Sequence, residues 1–440
     1  MDMKIGIAKR CTLPDKDSML RGYAFRKELS HGVEEPIELG VMAISEDADQ
    51  KIHLIITADI AGIDIAECAK IYDLLGKKFN IPANQIWVSS SHTHFAPGFE
   101  AFFIPNRGGS LAYGDHPEDA EYRNLWHEKL LEAAGSALNS MEECTLEHVE
   151  VEVPGIMFNR RTVKKSSGIV EQSYIYPENP QDFIFQKCDT TLTAWRFVTP
   201  QGFKAMLMTV GCHPVTGGSD PYLISGDYPW YFKAKAEELF GCPCFFMLGA
   251  AGDTVPRLRG PASQKFSPKV NSRKNIGEIL ALTLQQNELL FKKDKKQSVA
   301  MKVVELPVEL PPELDYENAE KNYQEAEKNN SPDLAHAVAA RFIAQTYPAK
   351  KFTVPLRFLR LGDKVLTGMP FEVLSAISLK LKEANPEAVL ISITGGYNGY
   401  LPLAEEFPKE GYECSFGATH FAQGTGDAAL KCAIEESAGI

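Results

Sequence analysis

The sequence predicts an α/β fold: a mixed β-sheet core with helices packed on it, and polar loops gathered at the carboxyl ends of the strands. Two observations carry this expectation. Ile52–Ile56, Gln85–Ser89, Ala205–Val210, Cys244–Leu248, Val365–Gly368 and Val389–Ile393 are short, mostly apolar runs rich in β-branched or aromatic residues, as strands buried on both faces are. Several alternate with stretches whose apolar residues recur three or four apart, the spacing of one helix face. Ile65, Cys68, Tyr72, Leu75 and Phe79 form the clearest stripe. The same reasoning predicts helices over Glu121–Ser140, Trp230–Phe240, Asn271–Leu290, Tyr316–Gln345, Phe371–Ala384 and Thr425–Glu436, the last with Asp427 near its first turn.

No stretch reads as an interdomain linker, so a single domain over 1–440 is expected. The Pro/Glu-rich Glu305–Asp315 is the nearest thing to a break, and 312–348 reads as a peripheral helical excursion. Residues 108–110 and Lys164–Gly168 have the composition of loops. Apolar and charged fractions of 44% and 24% are those of a globular protein, which excludes wholesale disorder and fibrous repeats. With 46 basic and 58 acidic residues the net charge is −12, which argues against a nucleic-acid partner and against attraction to an anionic membrane. No run is long and apolar enough for a signal peptide or a membrane span, so a cytoplasmic protein is expected. Nine scattered cysteines, an odd number, fit reduced and mostly buried thiols.

Five of the strand candidates run into polar, turn-rich segments: Ser90-Ser91-His92-Thr93-His94, Gly211-Cys212-His213-Pro214, Gly249-Ala250-Ala251-Gly252-Asp253-Thr254, Met369-Pro370-Phe371-Glu372 and Thr394-Gly395-Gly396-Tyr397-Asn398-Gly399-Tyr400. In α/β sheets ligands sit outside strand carboxyl ends, so five such ends define one cleft if the strands are neighbours. Extended backbone would put both imidazoles of His92-Thr93-His94 on one side. His213, Glu372 and Tyr400 add nitrogen and oxygen donors, and imidazole plus carboxylate suits Zn²⁺. Each piece alone is weak, because a lone histidine is more often structural. His53, His127, His148 and His336 fall inside strand or helix patterns and His31, His116 and His420 in loops, whereas His92, His94 and His213 follow strands into turns.

These segments together resemble the catalytic domain of the neutral/alkaline ceramidases, and the resemblance runs along the whole chain. It is carried by Gly22-Tyr23-Ala24, Gly32-Val33, Asp59, His92-Thr93-His94-x-x-Pro97-Gly98, Phe158-Asn159-Arg160, Asp189, His213 and Ile224-Ser225-Gly226-Asp227. Pro370-Phe371-Glu372 and Tyr400-x6-Phe407-x4-Tyr412-Glu413, with Glu405-Glu406 between, complete the order. The resemblance implies a zinc site made of His92, His213, Glu372 and Tyr400. It also implies that His94, Arg160 and Tyr412 position substrate and stabilise an oxyanion. Tyr397 reads as a packed turn aromatic, and Asp59, Asp189 and Asp227 as turn caps or supports for the histidines.

One departure bears on mechanism. At the position of the family's serine, which has been read as its nucleophile, stands Val255 in Gly252-Asp253-Thr254-Val255-Pro256-Arg257. Valine cannot attack a carbonyl, and Thr254 points to the other face of an extended segment. Either no side-chain nucleophile is needed or the chain is not a ceramidase in the strict sense. The expectation is therefore a zinc-dependent hydrolase of an amide bond using metal-activated water, with lipid-like N-acyl amides as substrates and sphingolipid metabolism as the implied setting. His94 is the expected proton carrier and Asp253 a weaker one. Two alternatives stand beside it: a metallohydrolase of a small soluble N-acyl amide or ester, and a non-catalytic metal- or ligand-binding descendant. Arg257 and Arg259 read as candidates for an anionic substrate group, against the commoner solvated loop arginine. Oligomeric state is not legible.

Overall fold

The computed structural model describes residues 3–23, 26, 28–46, 51–99, 117–217, 220–257, 272–312, 314–315, 317–331, 333–347, 349 and 351–440. Ala24, the 108–110 loop, His116, Arg259 and Asn271 lie outside the described residues. The principal sheet contains β1 (Met3–Cys11), β2 (Glu38–Glu46), β3 (Ile52–Ala58), β4 (Ile86–Ser90), β5 (Glu142–Glu152), β6 (Thr191–Thr199), β7 (Gly202–Val210) and β8 (Cys244–Leu248). Their order is β8-β7-β6-β5-β1-β2-β3-β4, with Lys292–Lys293 lying along β5. A second sheet runs in sequence order through β9 (Val299–Glu309), β10 (Lys351–Leu361), β11 (Lys364–Gly368) and β12 (Ala388–Ile391).

Both sheets are mixed. The parallel pairs in them are β3 with β4, β7 with β8, and β11 with β12. The neighbours around these pairs are antiparallel. One face of each sheet meets a shared apolar core in which Met42, Ile55 and Trp87 touch the cluster of Trp195, Leu207, Phe245, Leu359 and Ile391. Because side chains alternate along a strand, the neighbouring positions face outward, and helices cover them. Val41, Leu54 and Ile56 pack under α1 (Ile65–Phe79) and α2 (Pro117–Asn139). Met206, Met208 and Phe246 pack under α3 (Asp227–Phe240) and α4 (Ser272–Gln286). Beyond α5 (Ala319–Lys328), α6 (Leu334–Thr346), α7 (Ser375–Ala384) and α8 (Thr425–Ser437) cover Leu356, Phe358 and Leu390.

Helix ends follow local chemistry. The Asp64 carboxylate accepts from the Glu67 N–H at 2.7 Å and caps α1, which ends on Asn80 in left-handed backbone (φ 57°). The expected continuous helix over Tyr316–Gln345 is instead α5 and α6. Asn330 turns left-handed (φ 45°) between them, and Pro332 has no N–H with which to continue a helix. The expected helix from Phe371 starts only at Ser375, because Glu372–Val373 is taken into a parallel ladder with Tyr400–Leu401. The excursion is tied inward: Ala340, Phe342 and Ile343 of α6 join the core beneath β10.

The three parallel pairs converge. Residues 392–395, leaving β12, are stitched to the ends of the other two pairs: Ser392 N–H to Leu248 O at 2.8 Å, Gly395 N–H to Val88 O at 2.9 Å, and Ser90 N–H to Ile393 O at 3.2 Å. That seam brings the loops after β4, β7, β8, β11 and β12 to one place.

Candidate metal centre

His92 reaches the centre through strain. Its backbone is left-handed (φ 62°), which costs an L-residue roughly 1–2 kcal/mol, and its N–H is held by Ile60 O at 3.0 Å. The two imidazoles of His92-Thr93-His94 do fall on one side, with Nε2 atoms 3.4 Å apart, but through this turn rather than by strand alternation. His94 sits on Gly22 (φ 92°), where a Cβ would lie 2.2 Å from the imidazole, so the glycine is required by the ring above it. Across from them, the His213 N–H is anchored on Thr254 O at 2.9 Å and that of Glu372 on Gly399 O at 2.9 Å.

The donor atoms meet. His213 Nε2 is 3.0 Å from His94 Nε2, and the ligand atoms of His92, His94 and His213 all lie within 4.8 Å of one another, a group able to hold a metal ion. Glu372 Oε2 lies 3.3 Å from His92 Nε2 and 3.7 Å from His213 Nε2. The other nitrogen of each ring fixes the tautomer. His92 Nδ1 lies 2.6 Å from Ala61 O and His213 Nδ1 3.1 Å from Ala251 O. A carbonyl only accepts, so both Nδ1 atoms carry hydrogen, and each ring, when neutral, turns an Nε2 lone pair inward.

Charge follows the same pattern. Burial, reinforced by facing His92, pushes His213 well below the usual imidazole range, so it is neutral at pH 7. Glu372 is buried and faces the His92 and His213 imidazoles. Its Oε1 accepts from the Tyr397 hydroxyl at 2.7 Å, while buried Oε2 takes no hydrogen bond. Two imidazole nitrogens and a buried carboxylate oxygen thus face one point, which a cation between them would hold together. The donor set fits a divalent transition metal.

Tyr400 stands beside Glu372 in register on the short parallel ladder and receives the Arg160 Nη2 hydrogen bond at 3.0 Å. Arg160 is buried, and its Nε donates to Glu413 Oε1 at 2.6 Å. The Tyr412 ring lies edge-on to Tyr400, centroids 5.4 Å apart, and is half-exposed at the rim. His92, His213, Glu372, His94, Tyr400, Arg160 and Tyr412 therefore form one connected group.

Asp253 is placed differently from a proton carrier. Its Oδ2 accepts from Asn159 at 2.6 Å, its Oδ1 from the Ser375 N–H at 2.8 Å, and its carbonyl from the Arg160 N–H at 2.7 Å. It braces the bend that carries Arg160. Thr254 hydrogen-bonds Ser375 at 2.7 Å. Val255 is fully buried opposite Phe158, against Phe158 and Val215. Asp59 pairs with Lys233 at 2.8 Å, Asp189 holds Ser378 and Lys382, and Asp227 bonds Thr216 at the start of α3, so these three act as caps and ion-pair supports. Arg257 is exposed, with its guanidinium over the Tyr176 ring. Tyr397, read from sequence as packing only, instead stacks near His92 and binds Glu372. Only its place three residues before Tyr400 hinted at this.

Solved structures show what this arrangement is similar to. Neutral ceramidase from Pseudomonas aeruginosa matches with a TM-score of 0.72 at 16% identity, over 99% of this chain and 74% of that one. A ceramidase complexed with C2 matches with a TM-score of 0.71 at 15% identity, over 99% and 75%. The chain has the ceramidase fold. No sequence-family profile and no curated protein matches it. Among the described residues no helix is long and apolar enough to cross a membrane.

Proposed function

We propose that this chain is a metal-dependent amide hydrolase of the ceramidase type, in which water rather than a side chain attacks the acyl carbon. The observation that carries the reading is the convergence of the inward lone pairs of His92 and His213 on the unbonded Oε2 of Glu372. The proposed ligands are His92, His213, Glu372 and Tyr400, with Zn²⁺ the cation their chemistry suits best. A bound cation of this kind supplies Lewis acidity and a water acidic enough to ionise near pH 7.

The remaining steps belong to the chain. As water adds to the amide carbon, the carbonyl oxygen becomes an oxyanion, and Arg160 and Tyr412 are the donors beside Tyr400 that would receive it. Losing one such donor typically costs ~10²–10³ in rate. His94 takes the proton released by water and returns it to the departing nitrogen, so that C–N cleavage yields a carboxylate and an amine. His94 suits this role because it is only partly buried, at the rim of the group, whereas His92 and His213 are buried. No serine is required, and the wall occupied by Val255 can stay apolar.

The test combines metal content with turnover. The purified protein should contain about one divalent ion per chain and hydrolyse N-acyl sphingosine or a short N-acyl amine; which is faster separates a lipid substrate from a small soluble one. His213→Ala should lose both metal and turnover, whereas His94→Ala should keep the metal and lose turnover. A fully active protein free of transition metal in chelator would overturn the reading.

A further inference from the structure

We propose that Glu413 sets the charge of substrate this site accepts: by neutralising Arg160 it makes that wall a binding surface for an uncharged amide and a poor one for an amide bearing a carboxylate. The inference rests on the amide-hydrolase reading above and names its substrate class more closely.

Glu413 is fully buried and its two oxygens serve two adjacent arginines. Oε1 accepts from Arg160 Nε at 2.6 Å and from Gln172 Nε2 at 2.6 Å; Oε2 accepts from Arg161 Nη1 at 3.1 Å. Arg161 is also completely buried and has a second carboxylate, Glu406 Oε2, at 3.3 Å from Nη2, besides the Glu406 and Glu410 carbonyls. Glu406 is shared with the partly exposed Lys409, whose Nζ lies 2.9 Å from its Oε1, whereas the Arg160 guanidinium is faced by Glu413. With Glu406 facing Arg161, the Glu413 charge balances Arg160.

The geometry then limits what Arg160 can offer. Nε is held by Glu413 and Nη2 by Tyr400, while Nη1 makes no hydrogen bond among the described residues. The guanidinium carbon lies 5.7 Å from the centroid of the Tyr174 ring, and Tyr174 and Tyr412 are the half-exposed aromatics marking the open side. A substrate entering there meets the Nη1 amino group, whose N–H donors belong to an already compensated cation. Carbonyl or hydroxyl oxygens satisfy those donors. A carboxylate would give up its hydration without an unmatched positive charge in return.

The alternative is that Glu413 only holds the fold. Metal-loaded protein at pH 7.5 should be assayed with an N-acyl amine and an N-acyl amino acid of equal acyl length. The wild-type chain should favour the neutral amide by about a hundredfold or more in kcat/KM, the order that an uncompensated buried charge imposes. Glu413→Gln keeps the shape and one accepting oxygen but unmasks Arg160, so that preference should fall at least tenfold, mainly through the KM of the carboxylate substrate. Arg161→Gln removes one of the two cations that share Glu413 and should move the preference the other way. A structural role would lower turnover of both substrates together and leave their ratio fixed. Wild-type turnover of the two substrates within tenfold of each other overturns the inference whether or not a variant folds. Hydrolysis of neither overturns the amide-hydrolase reading and the inference with it.

Discussion

Glu372→Gln should act with opposite signs on the metal-free and metal-loaded protein. In the absence of a cation, Glu372 Oε2 faces two imidazole nitrogens at 3.3 and 3.7 Å and is buried without a hydrogen bond. A glutamine amide placed there donates to the His92 lone pair, a gain of about 1 kcal/mol plus relief of a buried charge. The Tyr397 hydroxyl, which donates to Oε1 at 2.7 Å, still finds a carbonyl oxygen. With a cation present the same change removes an anionic ligand. Metal at a thousand times its Kd stabilises the wild-type chain by about 4 kcal/mol, and for a chain of this size each kcal/mol moves Tm by about 1–2 °C. Wild-type protein should therefore gain about 4–8 °C from Zn²⁺ at pH 7.5, and the variant only a small part of that. Its chelator-treated form should melt at or above chelator-treated wild type. Thermal unfolding with and without chelator measures all four values. A variant that melts lower than wild type without metal, yet gains as much from Zn²⁺, would falsify the view that Glu372 belongs to the centre.

Three further outcomes are expected. Thr254→Ala loses the 2.7 Å bond to Ser375 and should cost about 1 kcal/mol in a urea titration, with metal content and turnover retained. Val255→Ser sets a hydroxyl into the buried contact with Phe158 and Val215 and should cost about 2–3 kcal/mol while adding nothing to turnover; a rise in rate would reinstate a side-chain nucleophile. Burial pushes His53 and His420 down to about 4, so the unfolded chain binds protons that the folded chain refuses. Their cost is absent above pH 6.5 and grows as pH falls toward 4, reaching about 2 kcal/mol each at pH 5. His420→Gln should flatten the pH 5–7.5 stability slope by that amount, and an unchanged slope would show that His420 does not titrate in this way.

The strands legible in the sequence were those of the three parallel pairs. Buried on both faces, β3, β4, β7, β8, β11 and β12 are continuous apolar runs that stand out without knowledge of their neighbours. The antiparallel strands were not singled out. In β9, Val299, Met301, Leu306 and Val308 are buried among exposed Lys302, Glu305, Pro307 and Glu309, so the apolar signal is diluted. β5 reads the same way, with Cys144, Leu146 and Val149 buried between polar positions. The helix over Tyr316–Gln345 was overextended because its stripe continues across Asn330, and a single left-handed residue leaves no trace in periodicity.

For the site, the residue types after strands were enough to mark His92, His94, His213, Glu372 and Tyr400, but not to say how they meet. Strand alternation would have placed the two histidines of His-x-His together for the wrong reason: positive φ at His92 turns them onto one side, and Gly22, seventy positions earlier, makes room for His94. The supports were harder still. Tyr397 looks like any aromatic in a glycine-rich turn until its hydroxyl is seen on Glu372, and Glu413 gains its meaning only from Arg160 and Arg161, some 250 residues away. Groups that must coordinate an ion are drawn from few residue types and announce themselves. Those that fix a tautomer or a net charge are backbone carbonyls, such as those of Ala61 and Ala251, and ordinary ion pairs, whose role exists only once the chain has folded.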